Sequence, residues 1–222
     1  MHHLITFAAA LGLLAATVPA AAQPAGTWSI EFGITRLSPQ VRSGDLSAPA
    51  LPSTQVDVSG ATGMSGAVSY MLDDHFAVSI PIGTGRPYSI TGAGRANGLG
   101  KLAEVSILPI TVLGQYRFGA ARAAVRPYLG GGLSYVRFYG ETGSVALTAL
   151  TNPAGTATTL SVRNQLAPVM QVGVLWSVNS RWFVNLHYAR SLLSERAHFS
   201  TGQTLDLALD PDTYSLALGY RF

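Results

Sequence analysis

Apolar and polar residues alternate with a period of two along most of this chain. Trp28, Ile30, Phe32 and Ile34 stand against Ser29, Glu31, Gly33 and Thr35, and the same rhythm returns in residues 64–70, 76–82, 110–118, 129–135, 170–176, 182–188 and 214–222. Side chains of a strand point alternately to opposite faces, so the pattern predicts strands with one apolar and one mixed face. Their connections are of two kinds. Short links fall at 72–75, 119–125 and 178–181, and long ones at roughly 38–56, 84–104, 140–163 and 192–208. Large rings gather on the apolar phase at the short-link ends: Trp28, Tyr70, Phe76, Tyr116, Trp176, Trp182, Tyr220 and Phe222.

Composition turns this strand pattern into an architecture. The chain is 48% hydrophobic with a mean hydropathy of +0.29, yet past its first residues no apolar run is long enough for a spanning helix. In lipid only helices and closed barrels satisfy their backbone groups. The expected fold is therefore all-β, an eight-stranded antiparallel transmembrane β-barrel with short periplasmic turns, long extracellular loops and an aromatic girdle at the periplasmic interface. A buried strand of a soluble β-sandwich is the competing reading, but it gives no reason for the tryptophans to collect at one rim.

The apolar run of residues 4–14, followed by Ala20-Ala21-Ala22, reads as a signal peptide cleaved after Ala22. That makes residues 1–22 the leader and 23–222 the barrel, placed in the cell outer membrane after export through the periplasm. Without cysteine, stability rests on backbone pairing and burial. The net charge of +3 is carried mostly by arginine, Lys101 being the sole lysine. No basic run suggests nucleic acid, and outer-membrane lipid and lipopolysaccharide are the expected partners of scattered arginines.

Eight strands enclose a lumen that side chains can fill, so no open aqueous channel is expected. The inward phase near the short turns carries Glu31, Arg117 and Arg221, which read as a salt-bridged lumen plug. Toward the loops the expected inward set is apolar: Ile107, Pro109, Val136, Phe138 and Leu166. This set reads either as a pocket for a small hydrophobic ligand or as packing between loops and barrel. His187 reads as a hydrogen-bonded lumen residue, since no metal-like spacing surrounds it, and no cofactor is expected. His198 and Ser200, with Glu195 nearby, have the spacing of the dyad in lipid A deacylase barrels and so leave an enzyme reading open. The long loops leave open an adhesin or receptor.

The stretch ILPITVLGQYRFGAARAAVRPYLGGGLSYVRFY, residues 107–139, resembles the core signature of the OmpW/AlkL family of small outer-membrane barrels. SYMLDDHFAVSIPIGT, QVGVLWSVNSRWFVN and the ending LDPDTYSLALGYRF fit the same family in the same order. Pro109-Ile110 departs from a frequent Pro-Pro, and Leu166 stands where some members carry an aromatic residue. The resemblance implies passive uptake of small hydrophobic molecules. It also implies that Leu218, Tyr220 and Phe222 act as a carboxy-terminal signal read by the outer-membrane assembly machinery. In the family-like pairing Pro81 and Pro109 lie on adjacent strands, and because proline donates no hydrogen bond to a neighbour, they are expected to form a lateral gate into the bilayer.

Overall fold

The computed structural model describes residues 25–153 and 155–222, so the expected leader lies outside it. In chain order the strands are β1 (Trp28–Ser38), β2 (Arg42–Ser43), β3 (Thr54–Val58), β4 (Ala61–Met71), β5 (Phe76–Gly83), β6 (Arg86–Gly94), β7 (Lys101–Arg117) and β8 (Val125–Gly143). There follow a helix, α1 (Val145–Thr151), then β9 (Leu160–Val162), β10 (Gln165–Ser177), β11 (Trp182–Ser191), β12 (Ser194–Phe199), β13 (Thr204–Ala208) and β14 (Asp212–Arg221). Among the described residues no helix is long and apolar enough to cross a membrane.

Eight strands form the wall in the order β1, β4, β5, β7, β8, β10, β11, β14, each antiparallel to its neighbours. The last strand returns to the first, from Ser29↔Arg221 to Ser38↔Asp212. Beyond that ladder the Phe222 amide still donates to the Trp28 carbonyl at 3.0 Å. The sheet is thus a closed barrel with no free edge between its ends.

The outward phase is the one expected from the alternation. Phe32, Ile34, Met64, Ile80, Val112, Leu133, Leu186 and Leu216 are all exposed. The girdle forms at the short-turn rim, where Trp28 meets Tyr70 with ring centroids 4.7 Å apart, Phe76 meets Tyr116 at 5.0 Å, and Tyr220 meets Trp182 and Phe222 at 5.0 and 5.3 Å. Two of the turns below it share one device. The Asp73 carboxylate accepts the amides of His75 and Phe76, both at 2.7 Å, while Asn179 Oδ1 accepts those of Arg181 and Trp182 at 2.9 and 2.8 Å. Such bonds favour the charged carboxylate, and they hold Asp73 below the usual carboxylate range.

The long connections differ from open loops. β7 and β8 run on above the wall, where β6 and β3 join β7 in the same sheet, and a second sheet of order β2-β13-β12-β9 stands beside them. Leu46, Leu102, Val105, Leu147, Leu160, Leu193, Leu205 and Leu207 fill the space between as a dry core. The membrane-facing strands leave few apolar residues for the lumen, so the main core of this protein sits in the cap.

Deleting Phe222 removes both the closing amide bond and a girdle ring. The variant is expected to be exported but to give a several-fold lower yield of heat-modifiable barrel in the outer membrane, scored by gel shift of membrane fractions.

Candidate ligand cavity and lumen

Inward side chains change character with height. At the short-turn end Arg126 is fully buried, its guanidinium donating to the carbonyls of Asp74 at 2.5 Å, Arg117 at 3.1 Å and Phe118 at 3.3 Å. It thereby ties two turns together beneath the lumen. Arg221 donates to Ser177 Oγ at 3.1 Å and lies 4.5 Å over the Phe183 ring. Arg117 donates to Gln115 Oε1 at 3.3 Å, and Gln115 donates to Gln171 at 2.9 Å. Glu31 accepts both its hydrogen bonds, at 2.9 and 3.1 Å, from Asn185 Nδ2, whose own Oδ1 accepts from the Tyr128 hydroxyl at 3.2 Å.

The expected plug residues Glu31, Arg117 and Arg221 are therefore all buried at this end. Neutral partners are prominent around them: Asn185, Gln115, Gln171, Ser177 and Tyr128 carry these hydrogen bonds, and Arg117 is near enough to act on Glu31 by charge attraction. Two glycines make room for the rings. A side chain at Gly173 would meet the Tyr128 ring at 2.5 Å, and one at Gly219 the Phe183 ring at 2.1 Å. Tyr128, Phe183 and Arg126 were missed as plug residues in the sequence reading, although Arg126 and Tyr128 stand in the Arg-Pro-Tyr motif and share the inward phase.

Above the plug runs a belt of hydroxyls. Thr35 bonds Ser65 and Ser215, Ser69 donates to Ser79 at 2.9 Å, and Thr111 to Ser134 at 2.8 Å. Each pair links neighbouring strands. Hydroxyls of this belt (Thr35, Ser65, Ser79, Thr111, Ser134 and Ser215) line a cavity of about 220 Å³ that also reaches Glu31, Gln171 and His187, and whose apolar lining includes Leu37, Ile107, Pro109, Val136, Val169, Ala189, Leu193 and Leu209.

Of the residues expected to line it, Ile107, Pro109 and Val136 do so. Phe138 keeps the inward phase but is buried in the cap core and is absent from the lining. Leu166 is a correction: it is 63% exposed on the outer face, and Ala167 and Val169 point inward in its place. The reason is parity, since Leu166 is an even number of residues from the outward Met170 and Trp176. His198 and Ser200 are not joined by a hydrogen bond; Ser200 Oγ instead accepts the Thr159 amide at 3.1 Å.

The wall beside the cavity is interrupted. The β5–β7 ladder runs from Phe76↔Tyr116 to Ser79↔Leu113 and stops, and pairing resumes between β6 and β7 at Arg86↔Ile107. Between these points no ladder pair joins residues 80–85 to residues 108–112, and Pro81 and Pro109 both lie in the interval. The flanks stay intact, because β5 remains paired to β4 as far as Gly83 and β7 to β8 throughout. Pro81, Ile82, Gly83, Ile107 and Pro109 all border the cavity at this break.

A closed eight-stranded barrel with an apolar outer band, an aromatic rim and a polar lumen is a transmembrane barrel of the outer-membrane kind. The model of the OmpW family matches residues 24–222, and the chain belongs to that family. Outer membrane protein W of Vibrio cholerae is 28% identical over 222 residues, covering 96% of this chain and 97% of that protein. The dibenzothiophene metabolism operon protein PahQ of Pseudomonas aeruginosa is 24% identical over 199 residues, 88% of each. The crystal structure of the outer membrane protein OprG from Pseudomonas aeruginosa superposes with a TM-score of 0.78 at 23% identity, covering 90% of this chain and 97% of that one. This chain is accordingly a protein of the outer membrane.

Asn185 offers a direct test of the plug. Asn185→Leu would strip the buried Glu31 carboxylate of both hydrogen bonds from the Asn185 amide and is expected to cost roughly 3 kcal/mol. Tyr128→Phe removes one neutral bond and is expected to cost about 1 kcal/mol. Urea unfolding in lipid vesicles, followed by tryptophan fluorescence, ranks the two.

Proposed function

We propose that this barrel is a channel for passive uptake of small hydrophobic molecules, which enter the cavity from the extracellular side and leave sideways through the wall. The observation that carries this reading is the coincidence of an apolar cavity with the one long break in the β5–β7 ladder, residues 80–85 against 108–112. Toward the polar end of the cavity a descending apolar molecule would meet the hydroxyl belt and Glu31, and beyond them the buried Arg117, Arg126 and Arg221. Stripping water and partners from such groups costs several kcal/mol. A lateral path avoids that cost.

In this reading Ile107, Pro109 and Val136 are ligand-lining residues, joined by Val169, Ala189 and Leu193. Pro81 and Pro109 form the gate, and Glu31, Arg117 and Arg221 close the periplasmic half. The relationship to a protein of a dibenzothiophene metabolism operon favours an apolar cargo. The reading also gives Leu218, Tyr220 and Phe222 the role of an assembly signal. Lipopolysaccharide and lipid are the partners of the outer rim, where Arg36 and Arg137 lie on the outward phase and Arg190 pairs with Asp212 at 3.7 Å.

The absence of native cysteine makes the gate testable. With Ile82→Cys and Ile110→Cys joined by a short bifunctional reagent, naphthalene uptake into cells is expected to fall at least fivefold, while a small polar solute enters as before. Unchanged naphthalene uptake through the bridged wall would overturn the lateral route.

A further inference from the structure

Arg86 begins β6 at the position where the wall closes again above the break. Its side chain crosses to β4, where Nη1 donates to the Thr62 carbonyl at 2.7 Å. The guanidinium lies flat over Gly63: a Cβ there would fall 1.6 Å from Nη2 and 1.7 Å from Cζ. The missing side chain of Gly63 is therefore the seat of this cation. Gly63 has no positive φ, so no backbone conformation demands glycine at that place.

The guanidinium borders the cavity, whose walls at this height are Leu37, Ala61, Pro81, Ile107 and Pro109. No carboxylate lies within 4 Å of it among the described residues. The acid in the cavity, Glu31, stands at the far end and is held by Asn185. One carbonyl bond leaves most of the five N–H donors of an arginine uncommitted. A half-buried arginine without an acid, seated at the rim of a mostly apolar cavity, keeps free N–H donors where a ligand entering that cavity can reach them.

We propose that Arg86 is a specificity residue that receives the carboxylate of an amphipathic acid, a molecule with an apolar tail and one anionic head. This rests on the channel reading above and narrows its cargo. The tail occupies the cavity and the break, and the head stays at the outer end of the break on Arg86, where the planar fork can hold a carboxylate through paired hydrogen bonds. Release is tail-first into the bilayer, with the head remaining at the interface. A neutral hydrophobe would use the same cavity without this contact.

The test uses decanoate and 1-decanol, which share a chain length and differ in the head, taken up by porin-deficient cells carrying the full chain. Arg86→Gln is expected to lower decanoate uptake at least fivefold and to leave 1-decanol uptake unchanged. Gly63→Ala keeps the charge but removes its seat, and is expected to lower decanoate uptake at least twofold with the same selectivity. If Arg86→Gln does not assemble, Gly63→Ala decides. Equal loss of both probes, or loss of neither, would overturn the proposal and make Arg86 a strut between β6 and β4. Wild-type uptake of 1-decanol without decanoate would overturn it while the channel reading stands, whereas uptake of neither would remove both. Mass spectrometry of the purified barrel separates the other source of an anion: if Arg86→Gln sheds a bound lipid phosphate and decanoate uptake holds, Arg86 serves lipid instead.

Discussion

Every backbone amide and carbonyl in the bilayer must find a partner within the chain, and from this constraint the rest of the structure follows. It forces β14 back onto β1, so that the register from Ser29↔Arg221 to Ser38↔Asp212 leaves neither terminal strand as an edge. It also explains why apolar residues are spread in alternation rather than gathered in blocks. A break in the pairing is affordable only where something else satisfies the backbone or where water and ligand reach it. The interval between Ser79↔Leu113 and Arg86↔Ile107 is such a place. Both its prolines lack an amide to leave unpaired, and a guanidinium takes up the Thr62 carbonyl beside it.

Closing only eight strands makes the lumen narrow, and narrowness decides its chemistry. Large rings fit only where the opposing strand carries glycine, as Tyr128 does at Gly173 and Phe183 at Gly219. Charges so confined cannot keep water, so each is answered by fixed polar groups. The use of amides and hydroxyls between Glu31 and the arginines has a geometric reason: they bridge adjacent strands at short reach, and the same habit continues upward in the hydroxyl belt. Above that belt the cap supplies apolar walls, and the polar-to-apolar change occurs within one strand length.

The sequence by itself determined the barrel. Period-two alternation has only two outcomes for a side chain, and the eight wall strands, their order of exposure and the short links at 72–75 and 178–181 all follow from it. The rings at the short-turn rim and the inward Glu31, Arg117 and Arg221 were legible for the same reason, while the position of Pro81 and Pro109 on neighbouring strands came from the family resemblance. Leu166 was legible too, since its parity with Met170 already put it outside. Tertiary structure alone decided what lies above the membrane and across the lumen. The connections folded into a cap with its own core, drawing Phe138 away from the cavity, because their apolar residues meet partners distant in sequence. Which neutral group answers each buried charge, where the β5–β7 ladder fails, and that Arg86 lies in the space left by Gly63 depend on register between strands. Alternation fixes the face of a residue but says nothing of its height against its neighbours, and contacts across a barrel are set by height.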